Sequence, residues 1–433
     1  MLSWWVILII LPENKMLRTF IYTIAIAGCF GLTQTAFSQD TLPRAKNAEQ
    51  TFELSALGYL NSNTINNDFV KSLYYGDIID ADMKQNAREK IAASNTFGGM
   101  SRVGFTYTYH SLSSANKPVF SFSLFDRSHL DMKFSDDLFN MLFYGNKMFA
   151  GETAQLGNFN LDFLRYQQFR FGWGWKGDAT HGGYGFACSF LSGEQNITVK
   201  APTADLFTAS DGTYLNFDIA MDVDMTDTSR KEYFAQNGAG LSADLFYEMP
   251  YTFWNKPGRI RFDLKDLGFI QWNSNSMHYS ADSSYHYEGI EVTDLFNLDS
   301  SASPLNIDEV IDENTSFKKQ QYTTRIPGML DIHTKFFYGK QIAFEKGITW
   351  RFNTSAKMYY YAKIHFLLGR SKSADIAYVI GYGGYGKFNS GIDLSADIGK
   401  FYSFQFMSYY LFSGVTAQST TGMGAYIKLV RKF

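Results

Sequence analysis

Cysteine and proline are scarce in this chain, and long apolar runs are missing. Of its 433 residues only 2 are Cys and 8 are Pro. Cys29 falls in an amino-terminal segment that reads as a cleaved signal. Cys188 then stands alone, which excludes an intrachain disulfide and any two-cysteine metal or redox motif. After that signal no segment approaches the ~18 consecutive apolar residues of a spanning helix, and the mean hydropathy is -0.20, so a helical membrane protein is excluded. Charge of one sign is lacking too. The formal net charge is -3, and nothing electrostatic invites nucleic acid. The 7 His are scattered without a HExxH or paired-ligand spacing, so no metal or cofactor is read. His278-Tyr279-Ser280 is the one crude His-x-Ser match and has no clear third member, so the chain is not read as an enzyme.

Aromatic residues and glycine are plentiful: 40 Phe, 28 Tyr and 36 Gly, the mixture expected of aromatic girdles around a crowded interior of small side chains. The strands show how they are used. In GAYIKLVRKF (424–433), Ala425, Ile427, Leu429 and Phe433 share one face, with Arg431 placed to snorkel, and Tyr426, Lys428 and Lys432 share the other. About ten residues tilted at ~45° cross a hydrocarbon layer. A strand in lipid must belong to a closed barrel, because an open edge leaves backbone groups without partners. Tyr426 and the aromatic terminal Phe433 read as an insertion signal, which implies outer-membrane lipid and the barrel-insertion machinery as partners. A soluble sandwich shows the same period with its apolar face in the core. Length and number of runs favour the barrel.

The same alternation recurs upstream. Phe169, Phe171, Trp173 and Trp175 alternate with Gln168, Arg170, Gly172 and Gly174; Tyr184, Phe186, Cys188 and Phe190 alternate with Gly183, Gly185, Ala187 and Ser189. Strands are expected near 100–110, 117–134, 158–176, 182–200, 213–225, 237–248, 258–271, 326–338, 342–353, 356–368, 373–383, 389–398, 400–412 and 422–433. This is an all-β, antiparallel transmembrane barrel of about fourteen strands. Parity places the 272–325 excursion outside the cell, and the short turns at 339–341, 369–373 and 398–400 in the periplasm.

From Met16 the chain reads as a secretory signal: basic Arg18, an apolar core, then Ala36-Phe37-Ser38 before Gln39. Residues 1–15 are expected to be a start-site artefact and 16–38 the signal. A lipobox at Ile26-Ala27-Gly28-Cys29 is the competing reading. Residues 39–99 are expected as an amino-terminal plug region and 100–433 as the barrel. Within the former, Asn66-Asn67-Asp68 and DADMKQNAREKIAAS (80–94) carry caps and helix formers too polar for lipid, with 51–60 as an entering strand. A solvated periplasmic appendage is the alternative. A further helix is expected at SDDLFNMLFYG (135–145), capped by Ser135.

FSFSLFDRSHLDMKFSDDLFNMLFYGN (120–146), Gly151, LKDLGFIQWN (264–273) and YHYEGIEVTDLF (285–296) together resemble a family of Bacteroidota outer-membrane proteins. That family is similar to the FadL-like fatty-acid transporter superfamily, which includes the barrel subunit of type IX secretion. The resemblance spans roughly 50–433 and implies a barrel of about fourteen strands with an amino-terminal plug.

The inward faces carry charge of both signs. Arg170, Asp244, Glu248, Arg259, Arg261, Asp263, Lys265, Lys357, Lys363, Asp393 and Asp397 form an expected lumen ladder, with His365 and Asp375 extending it. Asp244 is expected near Arg261, and Asp263 near Ser242. Such a ladder is either an electrostatic lock around the plug or a wetted pore lining. Two functions follow: a gated or plugged FadL-like channel for a small, hydrophobic class of solute, or a barrel subunit or docking platform of an envelope or secretion complex. Aspartates at 218–227 are read as a solvated loop rather than a Ca²⁺ site. Mature protein is expected to begin at Gln39 without an acyl chain. Amino-terminal sequencing and metabolic labelling with a fatty-acid analogue check this, and label that depends on Cys29 would identify a lipoprotein.

Overall fold

A computed structural model describes residues 50–111, 118–175, 177, 181–227, 230, 232–253, 255–288, 317–369, 373–411 and 419–433. The expected signal, the start at Met16 and residues 289–316 of the expected excursion lie outside the described residues.

Strand β1 (Gln50–Ser62) is followed by helices α1 (Asn67–Tyr75) and α2 (Ala81–Arg88), then by β2 (Asn95–His110) and β3 (Pro118–Phe134). Helix α3 (Asp136–Tyr144) and the short β4 (Thr153–Gln155) lead into β5 (Phe159–Trp175) and β6 (Gly183–Thr208). Next come β7 (Tyr214–Met225), β8 (Gly238–Phe253), β9 (Lys256–Trp272) and β10 (Met277–Glu288), then the short β11 (Lys318–Lys319) and β12 (Thr323–Arg325). The chain finishes through β13 (Met329–Tyr338), β14 (Ile342–Arg351), β15 (Tyr359–Leu368) and β16 (Ala374–Gly383). The last three strands are β17 (Phe388–Ile398), β18 (Tyr402–Ser408) and β19 (Gly422–Lys432).

Fourteen of these strands form an antiparallel ring, β1-β2-β3-β5-β6-β8-β9 and then β13 through β19. It closes where β1 pairs with β19, from Thr51↔Lys432 to Asn61↔Gly422. Every ring strand therefore has a neighbour on both sides, the condition for crossing lipid. Outward positions are apolar: Phe171, Trp173, Phe186, Leu245, Phe269, Trp350, Phe366, Tyr378 and Leu429 are all exposed. At the end bearing Phe433 the outer aromatics interlock across strands, Phe120 on Trp173 at 5.9 Å and Trp175 on Tyr184 at 4.8 Å between ring centroids. Cys188 is exposed on this outer face.

The ring has the expected number of strands but not the expected membership. Residues 50–62 form a true wall strand, so the barrel starts inside the region assigned to a plug. The strand expected at 213–225 leaves the ring: β7 pairs with the far half of β6 (Ile197–Thr208) and with β10, making a side sheet beyond the wall. The near half of β6, Gly183–Gly193, pairs with β8 instead. Alternation cannot distinguish a lipid-spanning strand from one that continues past the rim, because both present one apolar face.

The helices form where expected but do not fill the lumen. Asn66 accepts from the Phe69 amide at 2.8 Å, Asp80 from Met83 at 2.8 Å and Ser135 from Leu138 at 3.1 Å, each an N-cap. Helices α1 and α2 are the β1–β2 connection at the end opposite Phe433. Val70 and Tyr74 of α1 pack on Leu60, Phe97, Leu130, Phe163 and Met423. These wall residues share the outward face: Leu60 lies in the alternation of exposed Leu54, and Leu130 opposes the inward Arg127 and His129. Phe69 of α1 and Phe139 of α3 meet over Phe134 on the same side. The apolar face of these helices matches the apolar outer wall, and the charged lumen offers it nothing.

Replacing exposed Phe171, 61% accessible on the outer face, by Arg should cost ~2–4 kcal/mol, whereas Phe171→Leu should be nearly neutral. Urea titration of protein folded into vesicles measures both.

Candidate functional site in the barrel lumen

Two layers of buried inward side chains occupy the lumen. Towards the end opposite Phe433 lies an aromatic layer of Leu57, Tyr59, Met100, Met329, Met407, Tyr409 and Tyr426, with Tyr385 inserted from the β16–β17 turn. The β14–β15 loop folds into the same space. The Ser355 amide and hydroxyl donate to the two Asp131 carboxylate oxygens at 2.7 and 2.8 Å, a reach across the lumen from β14 to β3. Asn353 donates to the Ile326 carbonyl at 3.1 Å, and the Lys357 amide donates to Gly384 at 2.9 Å. Burial, with the Asp131 carboxylate beside it, holds the Tyr385 phenol well above its ordinary pKa, so this stopper stays neutral. A cavity of 40 Å³ remains beneath it, lined by Tyr59, Arg351, Tyr359, Tyr385, Tyr409 and Tyr410. That is room for a few waters.

Below this layer the lumen is ionic. Arg127 on β3 reaches Asp266 on β9 at 2.6 Å, with Gln168 bonded to both. Arg170 meets Asp244 at 2.5 Å. Glu248 pairs with Arg259, and Asp263 is held by Arg261 at 2.8 Å and Lys265 at 3.4 Å. On the other wall Lys363, 1% exposed, sits 3.2 Å from both Glu345 and Asp393. His365 bridges Asp375 at 2.9 Å and Glu345 at 3.4 Å, and Lys432 reaches Asp397 at 2.5 Å. Removing one partner of so buried a pair strands the other, which is costlier than the pair is stabilising.

Ten of the expected ladder residues therefore meet an oppositely charged partner on the lumen side, while Lys357 does not join them. It is exposed in the β14–β15 loop. Tyr426 is buried in the aromatic layer, whereas Phe433 is exposed at the outer rim with Arg431 over its ring at 4.7 Å. The expected β8–β9 register is corrected: Glu248 opposes Arg261 and Phe246 opposes Asp263. Pairing extends to Phe253↔Lys256, so more of the segment is strand than the expected bounds at 248 and 258 allow. Gln168, on the inward face as its alternation implies, is buried and hydrogen-bonded to Arg127, Ser189 and Asp266.

Sequence reading missed Arg127, Asp131, Glu345 and Asp266. The first three lie on faces that simple alternation marks as inward. Asp266 could not be found that way. A bulge between Ala243 and Leu245 shifts the register, and Asp266 adopts φ 59, which turns an outward-parity position into the lumen. Its amide donates to Asp244 at 2.6 Å. Beside this bulge the wall is interrupted: β9 pairs with β13 up to Lys265↔Met329 and with β12 from Phe269↔Arg325 onward. A cleft of 620 Å³ opens there between Asp266, Leu267, Gly268, Phe269, Ile326 and Gly328. His278, the candidate nucleophile's partner, instead bonds Asp224 at 2.8 Å on the side sheet.

The model for the "Family of unknown function (DUF5723)" matches residues 45–407. No curated protein matches the chain. Among solved structures, the Pseudomonas putida toluene transporter TodX aligns at 7% identity and TM-score 0.40, over 93% of this chain and 94% of that one. The translocator domain of the Neisseria meningitidis autotransporter NalP aligns at 7% identity and TM-score 0.32, over 91% and 90%. The barrel is established by its own strand pairing and does not rest on these distant likenesses.

Arg127→Gln and Asp266→Asn should each destabilise the barrel by ~3 kcal/mol. The double variant should lose clearly less than their sum, because neither charge is then stranded. Urea titration of the three variants gives the coupling.

Proposed function

The chain belongs to the DUF5723 family, and we propose that it is a gated channel of the bacterial outer membrane for a small, hydrophobic class of solute. The observation that carries this reading is the tie across the lumen from Ser355 to Asp131. The axis is blocked by a loop and a turn tied through a few hydrogen bonds, chiefly Ser355 to Asp131, and not by a wall strand whose loss would open the barrel. A stopper of this kind can leave while the ring stays intact. Beneath it the lining is tyrosine, methionine and leucine, suited to an apolar or aromatic solute. The ionic layer further down disfavours such a solute along the axis, since each paired charge would lose a partner without replacement. The wall cleft touches that layer only at Asp266 and exposes Leu267 and Phe269 at its outer side. The sequence resemblance to FadL-like barrels supports the same class of function.

One observation favours a docking role. Beyond Met277 and His278, β10 has a partner on one edge only among the described residues, so Tyr279–Glu288 presents backbone groups able to take an added strand. Pull-down of the tagged barrel from envelopes would identify a stoichiometric partner under this reading.

Replacing residues 353–357 by an Asn-Gly turn together with Tyr385→Ala should convert a silent barrel into a conducting one, because it removes the Asp131 tether and both parts of the stopper and leaves a charged lining that water and ions can enter. Removing 64–92 should leave conductance unchanged, since α1 and α2 sit outside the lumen. Planar-bilayer recording tests both, and a wide pore in the unaltered protein would reject the gate.

A further inference from the structure

Asp263 on β9 and Asp331 on β13 are register partners, directly opposite each other on the lumen face, and they are 1% and 0% exposed. Like charges placed directly opposite across strands repel, and burial strengthens the repulsion. Asp263 is neutralised by Arg261 and Lys265. Asp331 is not: its partners are the Thr349 hydroxyl at 2.6 Å and His333 Nδ1 at 2.7 Å, with no lysine or arginine among the described residues. One ligand atom from each of Asp263, Asp331 and His333 lies within 4.8 Å of the other two.

A second observation converges on the same spot. The Tyr361 hydroxyl is buried without a hydrogen-bond partner. Gly347 is the register partner of both His333 and Tyr361. The phenol lies across this glycine, so that a Cβ at position 347 would fall 2.6 Å from Tyr361 Cζ and Oη. The orphan hydroxyl is thereby carried toward the His333 side of β14. Buried hydroxyls are rarely left unsatisfied, and a water on a bound cation would supply the missing partner.

We propose that Asp263, Asp331 and His333 form a binding site for a divalent first-row metal ion, with Zn²⁺ as its representative. One imidazole nitrogen with two carboxylate oxygens suits Zn²⁺ or Mn²⁺ better than Ca²⁺ or Mg²⁺, which take oxygen ligands. A carboxylate has about four acceptor directions, so Asp263 can keep Arg261 and Lys265 while binding a cation. The site lies two residues below Lys265↔Met329, the last β9–β13 pair before the wall cleft. A bound ion would tie β9 to β13 at the base of that cleft. The proposal does not depend on what the barrel transports.

The test is calorimetric titration of the folded full barrel in detergent with ZnCl₂, alongside thermal unfolding with and without the metal. Wild type should bind one Zn²⁺ saturably and unfold at a higher temperature with it. Asp331→Asn and His333→Gln should each weaken binding at least ~10-fold and abolish the thermal shift. His286→Gln, which changes an exposed histidine of the side sheet, should match wild type. If Asp331→Asn does not fold, His333→Gln decides the matter, because it keeps Thr349 and the neighbouring ion pairs. Absence of saturable binding by wild type, or wild-type affinity in a folded His333→Gln protein, would overturn the site.

Discussion

The pairing of β1 with β19 is the constraint on which the rest of the structure depends. In a hydrocarbon layer no water is available to an unpaired amide, so the first and last strands must find each other. Eleven register pairs, Thr51↔Lys432 through Asn61↔Gly422, join them. Once the ring is closed, each strand has an inside and an outside, and the two faces obey different chemistry. The outer face takes Phe, Trp, Leu and Ile without cost. The inner face must settle its polar groups among themselves.

That settlement explains why the lumen carries buried charge of both signs. Arg127, Arg170 and Lys363 would each be costly alone, yet each faces a carboxylate within 3.2 Å. The network spans strands far apart in sequence, such as β3 and β9, and ties the wall across its bore. The loop is tied by two Ser355 hydrogen bonds to the Asp131 carboxylate and one from Asn353 to the Ile326 carbonyl, with no ion pair of its own among the described residues.

The wall itself is least regular where β9 passes from β13 to β12. The positive φ of Asp266, the bulge opposite Ala243 and the cleft at Gly328 coincide there, and the Asp263–Asp331–His333 cluster lies just below. Bulges of this kind re-aim side chains and bend strands, and they recur next to functional sites. The same place thus combines a seam in the wall, a carboxylate turned into the lumen and a group of ligand atoms on the two strands that meet at the seam.

Local sequence determined the strands, their faces and the caps of the three helices, because these depend on side-chain alternation and on neighbours within a few residues. Phe171 outward, Arg170 inward and Ser135 as a cap could all be read directly. Which strands share the ring could not. Residues 50–62 and 213–225 have similar periodicity, and only pairing with distant partners makes one a wall strand and the other a side-sheet strand. The fate of 61–97 was likewise decided in three dimensions. Its helices are legible, but their apolar face found Leu60, Phe97 and Phe163 on the outer wall rather than a place in the bore. Asp266 is the clearest case, since one extra residue in a bulge reverses the parity on which every inward assignment depends.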